Sequence, residues 1–182
     1  MTTDPIYVKY HDEEWGVPAY DDRYLFEMLT LEGAQAGLSW LTILKRRDNY
    51  RRAFHNFDAE KISEYGDSEI KQLLQNDGII RNELKIRSVV TNARAFLQIQ
   101  KEFGSFSNYI WRFVDHKPKV HVWRSKEDVP AYSDESILIS KDLKKRGFSF
   151  VGPTILYAFM QATGMVNDHE EKCFLAKNKG EK

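Results

Sequence analysis

LEGAQAGLSWLTILKRR, residues 31–47, sets small residues, one acid, one tryptophan and a basic end into about two helices' worth of chain. Leu29, Leu31, Gly33, Ala34, Ala36, Gly37 and Leu38 surround Glu32 in sequence, so a carboxylate buried there has few polar neighbours and needs a reason to be inside. A helix closing near Gly37 and a second opening after Ser39 turn Glu32 and Trp40 toward one cavity and leave Lys45, Arg46 and Arg47 outside it. Two readings follow. Either this is a pocket beside a phosphate-binding surface, or Trp40 is ordinary core and Glu32 sits in a salt bridge or a helix-end hydrogen bond.

Upstream, Asp21 or Asp22 caps a helix whose apolar positions Leu25, Phe26, Leu29, Gly33 and Ala36 share one face, with Glu32 near its end. Residues 1–20 form an N-terminal loop, broken by Pro5, Gly16 and Pro18, that carries Tyr7, Tyr10, His11 and Trp15. Downstream, Ser39 caps a helix with Ile43, Leu44, Tyr50 and Phe54, whose basic residues spread over more than one face. Asp58 and Asp67 precede two short helices with acids in their first turns. Asn76-Asp77-Gly78 then leads into a long helical pattern, Ile79 to Phe103, basic at Arg81, Lys85 and Arg87. A hairpin of this kind can present backbone N–H groups to a phosphate, and an ordinary helical hairpin has the same sequence features.

Ser105 or Ser107 starts an aromatic helix running to Val114, and residues 116–130, with Pro118 and Pro130, read as an irregular connection. Ser133 opens a helix that ends at Lys144, Lys145, Arg146 and Gly147; Gly152-Pro153 opens a central helix, TILYAFMQAT, closed by Gly164. The tail, 166–182, places His169 and Cys173 on one side of a helical turn before a lysine-rich end that frays. Alternating strand patterns are scarce, and the chain reads as one all-α domain, 1–182.

Composition narrows the function. Lys and Arg number 27, as do Asp and Glu, so nucleic-acid binding has to come from local patches such as Lys45–Arg52 and Lys141–Arg146, which argues against a non-specific coating protein. No apolar run approaches the roughly 20 residues that span a bilayer, and the first residues lack a secretory h-region. The single cysteine, Cys173, cannot form an internal disulfide, in keeping with a cytoplasmic, reducing compartment. An acid beside the flat faces of Trp15, Trp40 and the tyrosines prefers a planar cation, of which an alkylated purine is one. His11, His169 and Cys173 offer three zinc ligands, the alternative being exposed or satisfied core side chains.

YHDEEWGVP, LEGAQAGLSWLTILKRR, KDLKKRGFSFVGPT and the closing NDH-x-x-x-C, in this order between Asp4 and Cys173, together resemble the DNA-3-methyladenine glycosylase I family. The resemblance implies a helix-hairpin-helix glycosylase of base-excision repair. Such an enzyme acts as a monomer, flips a 3-methyladenine nucleotide out of double-stranded DNA and hydrolyses its N-glycosidic bond. It makes Glu32 the pocket acid that hydrogen-bonds the base, Trp40, Tyr10 and Tyr7 the aromatics around it, and Leu38 the wedge into the space the base leaves. The hairpin around Gly78 becomes the phosphate-gripping element. The family pattern also has a Cys-x-Trp segment before the Asp-Pro that is Asp4-Pro5 here, and its cysteine joins the equivalents of His11, His169 and Cys173 around zinc. This sequence begins after that segment, so either the zinc site has three protein ligands plus water or a substitute, or the start lies downstream of the true one, or the metal has been lost; zinc is expected to be held weakly or partially. Two rival functions remain. A helix-hairpin-helix DNA-binding module without catalysis has no need for Glu32 beside Trp40, and a zinc hydrolase would use His11, His169 and Cys173 with an open fourth position.

Overall fold

Residues 25–34 are all buried, and the helix they belong to, α2 (Asp22–Gln35), packs against four of the other helices. The computed structural model describes residues 3–176. Among these residues nine α-helices follow in order: α1 (Pro5–Glu13), α2, α3 (Trp40–Ala53), α4 (Ala59–Ser63), α5 (Asp67–Gln75), α6 (Glu83–Phe103), α7 (Phe106–Trp111), α8 (Asp134–Lys145) and α9 (Pro153–Ala162). The all-α expectation holds among the described residues, with one minor addition: β1 (Lys119–Val120) and β2 (Val166–Asn167) pair in parallel.

Local chemistry sets the helix ends. The side chains of Asp21, Ser39, Asp58, Asn82, Ser105 and Ser133 each accept a hydrogen bond from a first-turn backbone N–H of the helix that follows. Asp22 does a second job: its carboxylate accepts from Phe106 N and Ser107 N, both at 2.8 Å, fixing the start of α7 against α2. Phe26, Phe96 and Phe106 stack in the centre of the core.

The hairpin is formed by α5, a turn at 76–82 and α6. Asn76 Oδ1 accepts from Gly78 N at 2.9 Å, an Asx turn. Gly78 is needed for close approach, since a Cβ there would lie 2.9 Å from Asn49 Cγ on α3. Arg46 donates to Asp77 O at 2.6 Å and Tyr50 Oη accepts from Ile80 N at 3.2 Å, so α3 holds the turn at three points.

Two expectations need correction. Residues 1–20 are not simply a loop: Asp4 caps α1 and Pro5 occupies its first turn, where a missing N–H costs nothing. The helix after Gly78 starts at Glu83 and not at Ile79, because Asn82 is the cap and the chain from 79 to 82 is still turning. The tail is anchored at its start: Val166, Asn167, Asp168 and His169 are buried. Asp168 draws the surrounding segments together, accepting from Tyr157 Oη (2.7 Å), Gln161 Nε2 (2.8 Å) and Trp123 Nε1 (2.9 Å) and pairing with His121 Nδ1 (2.6 Å). Residues 177–182, where fraying was expected, lie outside the described residues. No described helix is long and apolar enough to cross a membrane.

Candidate active site

The corner between α2 and α3 is built from its sequence step by step. α2 ends at Gln35, Gly37 takes a left-handed φ of +80° with open space around it, and Ser39 caps α3, its Oγ accepting from Thr42 N at 3.2 Å. Leu38 is left at the tip, 40% exposed, where an apolar side chain gains nothing from the fold. Trp40 begins α3, and its ring lies 5.4 Å from that of Tyr10 at 55°. α1 supplies Tyr10, which is buried, and Tyr7, half-buried one turn earlier and with no ring contact to Trp40.

Glu32 is 4% exposed, and among the described residues no hydrogen bond or ion pair reaches its carboxylate. Burial alone pushes its pKa from 4.5 up to about 8, because ionisation in an apolar surrounding has nothing to offset the lost hydration. Burial and then the Glu32 charge hold the Tyr10 hydroxyl well above the usual phenol range, which puts the two groups within electrostatic reach. The indole Nε1 of Trp40 is also buried without a partner. An acid and a donor, both buried and both unsatisfied beside two aromatic rings, are what a pocket looks like when its ligand supplies the missing partners.

A second constellation joins the termini. His11, His169 and Cys173 place one ligand atom each within 4.8 Å of one another, with Cys173 Sγ 3.8 Å from His11 Nε2. Each imidazole is held through its Nδ1, His11 by Asp12 at 2.8 Å and His169 by Asn167 at 2.8 Å, leaving both Nε2 atoms for the cluster. His169 Nε2 is buried with no hydrogen-bond partner, an orphan of the kind that a metal ion satisfies. These donors suit zinc. His169 lies in irregular chain and Cys173 at a bend, neither on a helix, so their convergence comes from the anchoring of residues 166–169 and not from helical spacing. Trp15 packs edge-on against His169 at 4.6 Å and stacks on His11, so it belongs with this cluster.

A profile of the methyladenine glycosylase family matches residues 1–176. The chain is 49% identical over 173 residues to DNA-3-methyladenine glycosylase 1 of Escherichia coli strain K12, an overlap of 95% of this chain and 92% of that one. The chain belongs to the methyladenine glycosylase family. A crystal structure of a 3-methyladenine DNA glycosylase I superposes with a TM-score of 0.94 at 50% identity, covering 96% of both chains. The structure that describes 3-methyladenine recognition by the Staphylococcus aureus enzyme superposes at 0.95 with 38% identity, covering 99% of this chain and 95% of that one. The helix-hairpin-helix architecture expected for such a glycosylase is therefore the observed one.

Tyr10 thus meets both Trp40, through its ring, and Glu32, through its field, while His11, His169 and Cys173 converge separately. The basic run at 45–52 behaves otherwise than expected. Arg47 turns inward, 8% exposed, donating from Nε to Glu27 at 2.6 Å and from Nη1 to both oxygens of Glu14 at 2.8 and 2.9 Å. Arg51 joins it on Glu27 at 2.9 Å, and Lys45 reaches Asp4 at 2.8 Å. At the other run Arg146 pairs with Glu102 and Asp142. Charge runs read as one solvated or phosphate-binding face conceal these pairings, because all the acids but Asp142 lie far away in sequence. An open groove lined by Thr42, Lys45, Arg46, Asn49, Asp77 and Gly78 does run between α3 and the hairpin turn. Sequence reasoning also passed over Lys85 as an individual residue and over Asn92, which exchanges two hydrogen bonds with the backbone of Ser149 at 2.8 and 2.9 Å. That exchange steadies Phe150, held at φ +55°, against Gly33 beside the pocket acid.

Proposed function

We propose that this chain is a DNA-repair glycosylase that takes 3-methyladenine out of alkylated double-stranded DNA and hydrolyses its N-glycosidic bond, acting as a monomer. One observation carries the proposal: the buried Glu32 carboxylate has no partner among the described residues and lies within electrostatic reach of Tyr10, whose ring packs on Trp40. N3-methylation makes the purine cationic, so it departs as a neutral base with little need for leaving-group protonation. Glu32 therefore acts by recognition. In the free chain burial keeps this carboxyl protonated up to about pH 8; a cationic base beside it offsets that cost, and the resulting carboxylate with the two π faces favours the methylated cation over neutral adenine, stacking being worth roughly 1–3 kcal/mol and cation–π attraction up to about 2 kcal/mol when desolvated. Tyr7 extends the aromatic wall. Leu38, apolar and exposed at the corner tip, enters the duplex where the base has left, and the groove beside Gly78 meets the phosphate backbone. Extrusion costs a few kcal/mol, least for a damaged base.

His11, His169 and Cys173 would hold zinc, which ties α1 to the tail and supplies no reaction step. The described residues supply three ligands, where structural zinc sites use four. Metal analysis of the purified protein after dialysis is expected to find less than one equivalent of zinc, and one tightly held equivalent contradicts this.

The test of function is release of 3-methyladenine from methylated duplex DNA with and without a chelator. Release in both conditions is expected. No release would make the chain a binding module, and release abolished by the chelator would make it a zinc hydrolase.

A further inference from the structure

The carbonyls at the end of α2 face the first turn of α6. Lys85 Nζ donates to Ala34 O at 2.9 Å and to Ala36 O at 2.6 Å, across 51 and 49 residues of sequence. A cation there satisfies carbonyls that have no helical partner and sits at the negative end of the helix dipole. The other end of the residue is equally fixed: Lys85 N donates to the Asn82 cap at 3.0 Å, and Ser88 Oγ donates to Lys85 O at 2.6 Å. The ammonium is thus attached to the segment that carries Glu32 just upstream and Leu38 just downstream, while its backbone forms the first turn after the hairpin. Arg46, Asn49 and Tyr50 already join the hairpin turn to α3, which starts at the other side of the same corner. The contacts close a triangle of corner, α3 and hairpin, and Lys85 is the polar cross-link of its third side.

We infer that Lys85 is a positioning residue that fixes the Ala34–Ser39 corner to the hairpin, so that gripping the DNA backbone sets the depth at which the corner enters the duplex. The inference rests on the proposed function, in which this corner enters the duplex. A corner free to shift by even an ångström loses its alignment with the base step, and misplacements of that size cost about a hundredfold in rate. The cost should fall only on substrates in which the base must be driven out of a stack.

The experiment uses Lys85→Met, which keeps the stem and removes the donors, and measures single-turnover release of 3-methyladenine from two DNAs. One is a normal duplex; the other places the lesion in a single strand, where no wedge is required. Lys85→Met is expected to slow the duplex reaction by about tenfold or more and the single-strand reaction by less than about threefold. Lys85→Arg, which retains charged donors, should recover most of the duplex rate. Equal slowing on both DNAs, or no slowing on the duplex, overturns the inference. Equal slowing would mean that Lys85 only supports the Glu32 pocket or the fold. Leu38→Ala separates the two ideas. If it shows the same duplex-specific loss, and the double variant loses no more than either single one, Lys85 and Leu38 act as one unit. A duplex-specific loss in Lys85→Met with none in Leu38→Ala leaves Lys85 as the positioning residue of the corner and overturns only the wedge role of Leu38.

Discussion

Helix α2 buries two glutamates five residues apart and treats them in opposite ways. Glu27, 7% exposed, accepts from Arg47 and Arg51, and Arg47 passes the network on to Glu14, whose carboxylate also accepts from Tyr24. Glu32, 4% exposed, has none of this. The first acid is used to hold α1, α2 and α3 together. The second is kept ready for a charge that the protein does not itself contain. A buried paired acid is neutral or mildly costly to a fold, whereas a buried unpaired one is a standing cost retained for binding.

The largest way to break the contrast is to turn Glu27 into a second unpaired acid. Arg47→Ala strands Glu27 and Glu14 and is expected to lower unfolding stability by about 3–5 kcal/mol in chemical denaturation, with α1 and Tyr10 loosened as a consequence. A loss under about 1 kcal/mol would show that the network contributes no more than exposed pairs do.

The next effect sharpens the contrast from the other side. The Glu32 carboxyl keeps its proton up to about pH 8 in the folded chain and loses it near 4.5 when unfolded. Between those values unfolding releases a proton, so stability falls as pH rises and levels off above about 8. Glu32→Gln removes that slope. It should therefore raise the melting temperature relative to the native chain, hardly at pH 4.5 and most at pH 8. A constant offset across the range would place the cost of Glu32 elsewhere. Smaller again is the contribution of the ring: Trp40→Ala is expected to slow excision by roughly 5- to 150-fold, the worth of one stacked base, in single-turnover assays at unchanged stability within about 1 kcal/mol.

How much of this was legible in the sequence follows from the range of each interaction. The caps at Asp21, Ser39 and Ser133 and the turn at Gly37 are local, and sequence carries them directly. The buried acid was legible too, as a carboxylate in an apolar helix end, and its role in a pocket is what the family motifs propose. α1 was missed although Asp4-Pro5 is a cap followed by an N1 proline, because the breaks at Gly16 and Pro18 dominated the reading. β1 and β2 are two residues each, too short to carry an alternating pattern. Arg47 and Lys85 were hidden for a stronger reason. Their partners lie 20 to 51 residues away, and nothing in a run of basic residues says which one turns inward. The metal-ligand trio was found by residue type and family pattern, while the spacing argument offered for it, a shared helical face, does not describe how the chain brings it together.

The central claim is that Glu32 reads the positive charge of the methylated purine. Single-turnover release of 3-methyladenine by Glu32→Gln, measured beside its melting curve, tests it most directly. A drop of roughly 10- to 150-fold, the worth of a hydrogen bond to a charged partner, in a protein at least as stable as the native one is the predicted result. Unchanged release kinetics would contradict it.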